Sequence, residues 1–549
     1  MVYTYCRRIS YSVFFWIYCR IILCPAGISL RGFFWRYDMA LLQVSNLTFC
    51  YEGSFDNIFE EISFSVDTDW KLGFIGRNGK GKTTLLNLML GKYEYKGSIS
   101  TSVHFDYFPY PIEAADMDKT MDEMSYVWKP EAESWRIMIE LGNLGVDPEV
   151  LYRPIRTLSF GERTKVMLAI LFSGENEFLL IDEPTNHLDK TGREIITRYL
   201  NSKKGFILVS HDRKLLDDVC DHMLVLNRET IEVVSGNFSS WWENKQKADA
   251  FAEAENQKHL KEIGKLKTSA DRASRWADKN ENTKIGFDPI KEHDRNISTR
   301  AYIGAKTKKM QSRVSNFEKR IDREISEKEG LLKDIEKVDD LKLNPMEHHK
   351  KCIIDCKGFS LGYSDSHNAV LENLSFQLMR GERLFLAGPN GCGKSSLIKA
   401  ILKEAEYDAG DVGGMTTSGQ LDVAKGLIIS YVNQDTSHLN GSLKDYAEHE
   451  GLDYSLLLTL LRKLDLSRIQ FEKNMEEFSE GQKKKVLLAA SLLTPAHLYI
   501  WDEPLNFIDV FSRMQLEKLI AQYNPTMILV EHDEMFREKL GGRVLGLYE

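Results

Sequence analysis

The 549-residue sequence contains no uninterrupted apolar run of the roughly twenty residues that are needed to span a bilayer. The longest candidate, Val13 to Leu23, is broken by Arg20. Cysteine is also scarce, and its eight residues are scattered without a disulfide framework or a metal-ligand cluster. These absences argue against a membrane-spanning protein, a disulfide-rich secreted domain and a zinc module. They favour a cytoplasmic chain with reduced thiols.

Residues 1–38 differ in composition from everything that follows. They hold five arginines against one acidic residue, three of the eight cysteines and eleven aromatics. Two interpretations are open, namely a signal peptide or anchor, and an atypical extension upstream of a working start at Met39. The charge of Arg20 inside the apolar run favours the second.

Two parts of the chain repeat one set of short motifs in the same order. The segment from Gly76 to Thr83, GRNGKGKT, returns 312 positions later as GPNGCGKS, from Gly388 to Ser395. In this pattern, glycines let backbone N–H groups converge on phosphate oxygens, the lysine adds positive charge, and the hydroxyl holds magnesium. A strand-like apolar run precedes each copy and a helix-like run follows it, so the required strand–loop–helix context is predicted twice.

Each loop is followed by an apolar, strand-like run that ends in two carboxylates, Asp182-Glu183 and Asp502-Glu503. The first acid suits magnesium ligation, and the second is placed to polarise an attacking water. His211 and His532 follow further apolar runs at nearly matched distances, which suits a contact with a terminal phosphate. Strand-capping acids and ordinary loop histidines are the alternatives, and the paired placement favours catalysis.

A serine-glycine motif lies between the loop and the carboxylates in both halves, LSFGE from Leu158 and FSEGQ from Phe478. With this motif the sequence resembles the ATP-binding cassette (ABC) superfamily. The resemblance implies an α/β fold with two ABC-type P-loop domains. It also implies two composite sites for ATP and Mg²⁺, in which each signature helix closes on the nucleotide of the opposite cassette. Tyr51 and Tyr363, each 31 residues before the loop lysine, would stack on adenine.

The predicted site residues follow from these motifs and from the resemblance. Site one is expected to bind nucleotide through Tyr51, Gly76, Asn78, Gly79, Gly81, Lys82, Thr83, Thr84, Ser479 and Gly481, and metal through Thr83 and Asp182, with Glu183 and His211 catalytic. Site two is expected to bind nucleotide through Tyr363, Gly388, Asn390, Gly391, Gly393, Lys394, Ser395, Ser396, Gln434, Ser159 and Gly161, and metal through Ser395, Gln434 and Asp502, with Glu503 and His532 catalytic.

The two sites are predicted to differ at one position. Aligning residues 107–110 with residues 431–434 places Tyr110 opposite Gln434, whose amide contacts magnesium and water in the superfamily. A phenol replaces that carbonyl ligand poorly. We therefore hypothesise that site one hydrolyses ATP more slowly than site two.

From about residue 241 to residue 350 the chain is highly charged and almost free of proline. Apolar residues at helical spacing, most clearly from Met310 to Val338, predict two long antiparallel helices with a turn near Gly286. Arms of roughly 40 residues would extend about 60 Å. Residues 257–313 carry fifteen basic and seven acidic residues, although the whole chain has a net charge of −9. Trp276, Phe287 and Tyr302 lie among these charges, which favours RNA contact over a solvated coiled-coil face.

Tandem cassettes joined by a long helical hairpin resemble the ABC-F family, and the segment from Asp182 to Asp189 matches that family closely. The departure Leu505-Asn506-Phe507-Ile508 in the second copy, together with the long linker, resembles its antibiotic-resistance branch. The predicted domains are the extension 1–38, the first cassette 39–240, the linker 241–350 and the second cassette 351–549.

The resemblance implies a monomer with intramolecular cassette pairing and no stable membrane partner. Its partner would be the bacterial ribosome, through large-subunit rRNA and P-site tRNA. From the E site it would protect the peptidyl transferase centre against lincosamide, pleuromutilin and streptogramin A antibiotics. Two alternatives stay open, an ABC-F translation factor that relieves stalled ribosomes without drug resistance, and the ATPase component of an exporter.

Overall fold

A computed structural model describes residues 41–51, 57–186, 188–227, 230–282, 342–363, 369–407, 414–464 and 466–547, with six further residues between 312 and 323. The chain divides at Met39, and every described element belongs to the unit from Ala40 to Glu549. The extension predicted for residues 1–38 lies outside the described residues.

Buried apolar runs build the main sheet of the first cassette. Phe178 to Ile181, for example, is apolar at four successive buried positions, as expected for a parallel strand that is covered on both faces. The strands are β1 Leu41–Phe49, β2 Phe59–Asp67, β3 Lys71–Gly76, β4 Lys96–Ser100, β5 His104–Phe108, β6 Glu177–Asp182, β7 Phe206–Val209, β8 His222–Leu226 and β9 Ile231–Ser235. The main sheet has the order β5-β6-β7-β3-β8-β9 and is parallel except for the pair β8–β9. A smaller antiparallel sheet has the order β2-β1-β4.

The helices of this cassette are α1 Lys82–Met89, α2 Met121–Trp128, α3 Ser134–Asn143, α4 Phe160–Leu171, α5 Lys190–Asn201 and α6 Arg213–Val219. The phosphate-loop helix α1 and the inner face of the small sheet enclose one apolar core, and the signature helix α4 lies in another. The loops after β3, β6 and β7 leave the carboxyl edge of the main sheet, where open parallel sheets bind their ligands.

A single helix, α7, runs over 45 residues from Phe238 to Asn282 and carries the chain away from the first cassette. At 1.5 Å per residue it is about 67 Å long. Ala252 and Ile263 of α7 are buried. The turn near Gly286 and the returning arm lie outside the described residues, apart from a few helical residues such as the buried Ile321. No helix in the described part of the chain has both the length and the apolarity to cross a bilayer.

The second cassette repeats the plan of the first. Its strands are β10 Cys352–Tyr363, β11 Leu371–Met379, β12 Arg383–Ala387, β13 Met415–Val423, β14 Ile429–Val432, β15 Leu498–Asp502, β16 Met527–Val530 and β17 Arg543–Gly546. The described helices are α8 Lys394–Glu404, α9 Leu443–His449, α10 Tyr454–Lys463, α11 Glu480–Leu493, α12 Val510–Tyr523 and α13 Glu534–Leu540. The main sheet, β14-β15-β16-β12-β17, is parallel throughout, and the small sheet has the order β11-β10-β13.

Phe511, at the start of α12, joins the second cassette to the root of α7. Its ring centroid lies 6.3 Å from that of Trp241 and 6.1 Å from that of Trp242. The guanidinium of Arg77 and the ammonium of Lys245 also lie over this ring, at 5.8 and 5.5 Å. Phe511 therefore belongs to the apolar core of the first cassette although it comes from the second.

A buried ion-pair cluster also joins the cassettes. Arg213, fully buried at the start of α6, donates hydrogen bonds to both carboxylate oxygens of Glu517, and its guanidinium lies 3.8 Å from Asp533. Glu534 accepts from Lys214 and lies 2.8 Å from Lys190 at a more exposed position. A buried guanidinium is costly to leave unpaired, so Arg213 is held where Glu517 can reach it.

We expect Arg213→Ala to destabilise the protein by about 3–5 kcal/mol, because it removes both hydrogen bonds of the buried Glu517 and leaves only the half-exposed Lys539, at 3.5 Å, as its cation. The matched substitution Lys214→Ala removes a half-exposed partner of Glu534 and should cost less than about 1 kcal/mol. Urea unfolding followed by circular dichroism measures both. Equal losses from the two variants would show that burial does not distinguish these ion pairs.

Candidate active site between the two cassettes

The phosphate loops adopt backbone conformations that require glycine. Gly81 has φ of 104° and Gly393 has φ of 93°, both in the left-handed region. A Cβ at Gly81 would lie 2.7 Å from Ile58 Cγ2, and one at Gly393 would lie 2.7 Å from Val370 Cγ1. Helices α1 and α8 begin directly after these glycines, and no side chain caps either helix. Their first N–H groups are therefore free for an anion, as a phosphate site needs.

Each loop lysine points into its own loop. Lys82 Nζ donates to the carbonyl of Gly76 at 2.7 Å and to Asn78 Oδ1 at 3.2 Å, and Lys394 Nζ donates to the carbonyl of Gly388 at 2.8 Å. Burial lowers the pKa of Lys82, whereas the nearby carboxylates of Asp509 and Glu183 oppose this shift. Both ammonium groups thus lie at the centre of a ring of backbone, where they can meet phosphate oxygens.

The loop hydroxyls contact the predicted metal-binding carboxylates. Thr83 Oγ1 donates to Asp182 Oδ2 at 3.3 Å, and Ser395 Oγ donates to Asp502 Oδ2 at 2.8 Å. The other oxygen of Asp502, Oδ1, is buried and accepts no hydrogen bond from the described residues. A hydroxyl beside a carboxylate with an unused buried oxygen fits the all-oxygen ligand set that Mg²⁺ prefers.

The two predicted histidines face the second carboxylate of each pair. His211 Nε2 lies 3.4 Å from Glu183 Oε1, and His532 Nε2 lies 3.9 Å from Glu503 Oε1. Burial and the neighbouring loop lysine lower the pKa of His211 well below its usual range, and the same causes lower the pKa of His532 to about 4. Both imidazoles are therefore neutral at neutral pH, and neutral imidazole can donate one N–H to a phosphate oxygen.

Each signature serine lies across the interface from the opposite phosphate loop. Ser159 and Ser479 cap α4 and α11, and each accepts a hydrogen bond from the N–H group three residues later. A cavity of about 780 Å³ lies between the first phosphate loop and Ser479 and Gly481. Another cavity, of about 830 Å³, lies between the second phosphate loop and Ser159 and Gly161. The sequence motifs that were expected to pair across the cassettes are thus brought together twice.

Most predicted residues line these two cavities. The first is lined by Tyr51, Asn78, Gly79, Gly81, Lys82, Thr83, Thr84, Asp182, Glu183, His211, Ser479 and Gly481, and the second by Ser159, Gly161, Tyr363, Asn390, Gly391, Gly393, Lys394, Ser395, Ser396, Gln434 and Glu503. Four predicted residues do not line either cavity. Gly76 ends β3 and Gly388 directly follows β12, Asp502 is buried and accepts a hydrogen bond from Ser395, and His532 lines another cavity of about 390 Å³.

The two predicted aromatic residues are held in the same way. Tyr51 OH lies 2.9 Å from Thr84 Oγ1, and Tyr363 OH lies 2.9 Å from Ser396 Oγ. Each ring lines its cavity beside the phosphate-loop helix. This matched contact gives both rings a fixed position next to the loop hydroxyls.

The loop after each carboxylate pair also reaches the opposite cassette, a contact that the sequence motifs did not predict. Asn78 Nδ2 donates to the carbonyl of Phe507 at 2.8 Å. Asp509 lies 3.2 Å from the buried ammonium of Lys485. Its negative charge also opposes the burial that lowers the pKa of Lys82. Leu188 and Asp189 line the other cavity. The repeat of Asp189 as Asp509, 320 positions later, was the available sequence signal.

The sequence pattern described as "ABC transporter" matches residues 59–186 and 371–506, which contain the two phosphate loops and the two carboxylate pairs. The chain is a tandem ABC ATPase. Its similar proteins include "Ribosome protection protein VmlR" of Bacillus subtilis (strain 168), 25% identical over 89% of this chain and 84% of VmlR. They also include "Erythromycin resistance ATP-binding protein MsrA" of Staphylococcus epidermidis, 26% identical over 85% of this chain and 89% of MsrA. The ABC-F assignment made from the sequence is confirmed by these relatives.

The fold of this ABC ATPase is also that of a solved tandem-cassette structure. It aligns with the archaeal ribosome recycling factor aABCE1, crystallised with ribosomal stalk protein aP1, at a TM-score of 0.56 and 17% identity. The alignment covers 91% of this chain and 87% of that chain. Two cassettes in one chain therefore form the expected α/β architecture.

In this ABC ATPase, Tyr107 contacts the carboxylate of site one, and the side chain of Tyr110 points away from the site. The Tyr110 hydroxyl donates to Asp106 at 2.6 Å, and its ring stacks on Trp128 at 4.9 Å, inside the core. Tyr107 OH instead donates to Asp182 Oδ2 at 3.2 Å. The two segments have the same register in their sheets, because Phe108 lies opposite Ile181 as Val432 lies opposite Trp501. The alignment of Tyr110 with Gln434 therefore holds for the backbone, and only the ring of Tyr110 turns inward, where Trp128 offers it an apolar face.

The second carboxylates have different hydrogen-bond partners in the two sites. Glu503 Oε2 accepts from Gln434 Nε2 at 2.9 Å and from Asn506 Nδ2 at 2.7 Å. Glu183 Oε1 is buried and accepts no hydrogen bond from the described residues. Burial, followed by the adjacent carboxylate of Asp182, raises the pKa of Glu183 to about 8. Two side-chain amides thus orient the carboxylate of site two, whereas the carboxylate of site one has a hydrogen bond from the backbone N–H of His211.

We expect Glu503→Gln to lower the single-turnover rate of ATP hydrolysis by about 100-fold or more, the usual contribution of a general base. Glu183→Gln should change the fast phase less than about threefold, because site one is expected to contribute little to it. Quenched-flow measurement with limiting ATP checks both variants, which are matched in chemistry and differ only in site. Equal defects would contradict the hypothesis that site one is the slower site.

Proposed function

We propose that this ABC-F ATPase binds the bacterial ribosome when ATP is bound, enters the E site and protects the peptidyl transferase centre. The observation that carries the proposal is the combination of two interfacial ATP sites with a 45-residue helix that leaves the first cassette. The names of VmlR and MsrA, a ribosome protection protein and an erythromycin resistance protein, support it. Lincosamides, pleuromutilins and streptogramin A compounds are the proposed drug classes.

ATP would close the cassettes because each site needs groups from both. The loop lysine and the helix N-terminus would hold the phosphates from one side, and the signature serine would hold them from the other. Closure would fix the interface at Arg213 and Phe511, and with it the root of α7. Affinity for the closed state would therefore come from the nucleotide itself.

Mg²⁺ would be held by Thr83 and Asp182 in site one, and by Ser395, Gln434 and Asp502 in site two. The hydroxyl–carboxylate contacts at 3.3 and 2.8 Å support this assignment. The metal would neutralise charge on the phosphates, a task that falls to metal ions in phosphoryl transfer generally. Glu183 and Glu503 would orient the attacking water, and His211 and His532 would contact the terminal phosphate.

The linker would be the part of the chain that contacts large-subunit rRNA and P-site tRNA. We propose the domain boundaries 39–240, 241–350 and 351–549, with a helical hairpin as the linker and a monomeric, cytoplasmic chain. The basic composition of residues 257–313 supports RNA contact, since phosphate is bound by Lys and Arg. Hydrolysis would then reopen the cassettes and allow release.

A translation factor that relieves stalled ribosomes would use the same parts, so the phenotype separates the two functions. Loss of a protecting factor would raise drug susceptibility, whereas loss of a translation factor would cause a general translation defect. An exporter ATPase would lower the intracellular drug concentration, whereas a ribosome-protecting factor would not. The long charged helix favours the ribosome, because an exporter ATPase gives it no evident task.

The double variant Glu183→Gln, Glu503→Gln should keep its ATP and remain bound to ribosomes, because these carboxylates serve the water and not nucleotide affinity. Co-sedimentation with purified 70S ribosomes measures the bound fraction. Wild-type protein with ATP and without nucleotide provides the controls. The same bound fraction in all three samples would exclude ATP-dependent binding.

Removal of the linker segment between Asp278 and Arg295 should abolish drug protection and leave ATPase activity within about twofold, because both ATP sites are formed by the cassettes alone. A susceptibility panel in a sensitive bacterium measures protection, and purified protein measures hydrolysis. Growth without drug identifies a general translation defect. Protection that survives the deletion would show that the linker tip is not the effector.

A further inference from the structure

Five large apolar side chains are exposed together on the helical part of the first cassette. They are Tyr126 (55% exposed), Val127 (68%), Trp135 (56%), Met138 (37%) and Ile139 (53%). All five lie within α2 and α3, and we call them the α2–α3 patch. An apolar cluster of this kind on a soluble domain marks an interaction surface more often than a scattered exposed residue does.

The patch is continuous across the two helices. The hydroxyl of Tyr126, near the end of α2, lies 3.4 Å from Ser134 Oγ at the start of α3. Trp135, Met138 and Ile139 are spaced by three and four residues and so share one face of α3. The opposite face is already used, because Ile137 and Leu141 are buried in the core. Helix α3 is thus apolar on both sides, and the core accounts for only one of them.

The fold does not require this second apolar face. Helix α10 is the counterpart of α3 in the second cassette, with the same length and an offset of 320 positions. Trp135 corresponds there to Ser455 and Ile139 to Thr459, both exposed and polar. Tyr126 corresponds to Tyr446, which packs against the core. Since the same helix closes the second cassette without the patch, the patch serves something other than folding.

The surroundings of the patch are strongly acidic. Residues 113–149 contain ten Asp or Glu and three Lys or Arg. Lys129 is buried against Asp106 and Glu177, Lys119 pairs with Asp116, and Arg136 pairs with Glu133 and Glu175. In the described part of the chain, cations from outside the segment pair with only two of its acids, Lys203 with Glu140 and Arg156 with Asp118, so the remaining acids leave the rim of the patch negative.

We propose that the α2–α3 patch docks a basic protein surface with an apolar side chain at its centre. This deepens the proposed function and rests on it for the partner, which would be a protein of the large ribosomal subunit. The acidic rim complements Lys and Arg and repels nucleic-acid phosphates and anionic lipid. It also repels the same patch on a second copy. The two cassettes would then differ in partner, with protein contact assigned to the first.

The test exchanges the patch for the residues of the second cassette. Trp135→Ser with Ile139→Thr should weaken binding to rRNA-free proteins extracted from bacterial 50S subunits by about tenfold, the usual effect of losing two interface anchors. Binding to protein-free 23S rRNA should stay within about twofold. The control is Leu456→Ser, which removes an exposed apolar residue from α10 and should change neither affinity. Thermal unfolding and ATPase activity verify that both variants are intact.

The outcomes separate this proposal from the proposed function. Unchanged binding of the variant to the extracted proteins would overturn the protein-docking proposal, as would an equal loss of rRNA binding, which would assign the patch to RNA. A dimer of the wild-type protein that the exchange dissociates, measured by light scattering, would assign the patch to self-association and also overturn it. Wild-type protein that binds the extracted proteins through the patch but shows no ATP-dependent binding to ribosomes would refute the proposed function and leave the patch standing.

Discussion

The hydrogen bond from Asn78 to the carbonyl of Phe507 shows the constraint on which the architecture depends, because it joins a phosphate loop of one cassette to a loop of the other. Each candidate site is a cavity lined by the phosphate loop of one cassette and the signature serine of the other. The two linings meet because the carboxyl edges of the two main sheets face each other. The buried Arg213–Glu517 pair and the Phe511 contacts stabilise this arrangement away from the nucleotide. Interface and active site are therefore one surface.

Within this shared plan the two sites differ in how their carboxylates are supported. In site two, Gln434 and Asn506 donate hydrogen bonds to Glu503. In site one, the hydroxyl of Tyr107 donates to Asp182 instead. The interface is also unequal, since Arg213 has an acidic residue, Glu534, as its counterpart 321 positions later. Arg213 and Lys214 of the first cassette both pair with acids of the second. Gene duplication provided two similar halves, and the charges that join them are complementary and not repeated.

Much of the fold could be predicted from the sequence, because residues close together in the chain determine many of its turns, strands and helix ends. Gly81 and Gly393 mark left-handed backbone, runs such as Phe178–Ile181 mark buried parallel strands, and Ser159 marks a helix start. Side-chain direction was harder to predict. Tyr110 aligned with Gln434 by position, yet it turned into the core onto Trp128, and Tyr107 reached Asp182 instead. Contacts between residues 300 positions apart, such as Arg213 with Glu517, carry no local signature and could not be predicted from motifs.

The ring of Phe511 has a mechanical consequence. It contacts Arg77 of the first phosphate loop and also Trp241, Trp242 and Lys245 at the root of α7. Helix α7 cannot pivot about its base unless the side chains around Phe511 repack. Phe511 is also in contact with the first phosphate loop. The position equivalent to Phe511 in the first cassette is Thr191, which has no ring to make such contacts. The root of α7 is thus coupled through Phe511 to the phosphate loop of site one, and Thr191 offers the phosphate loop of site two no matching ring.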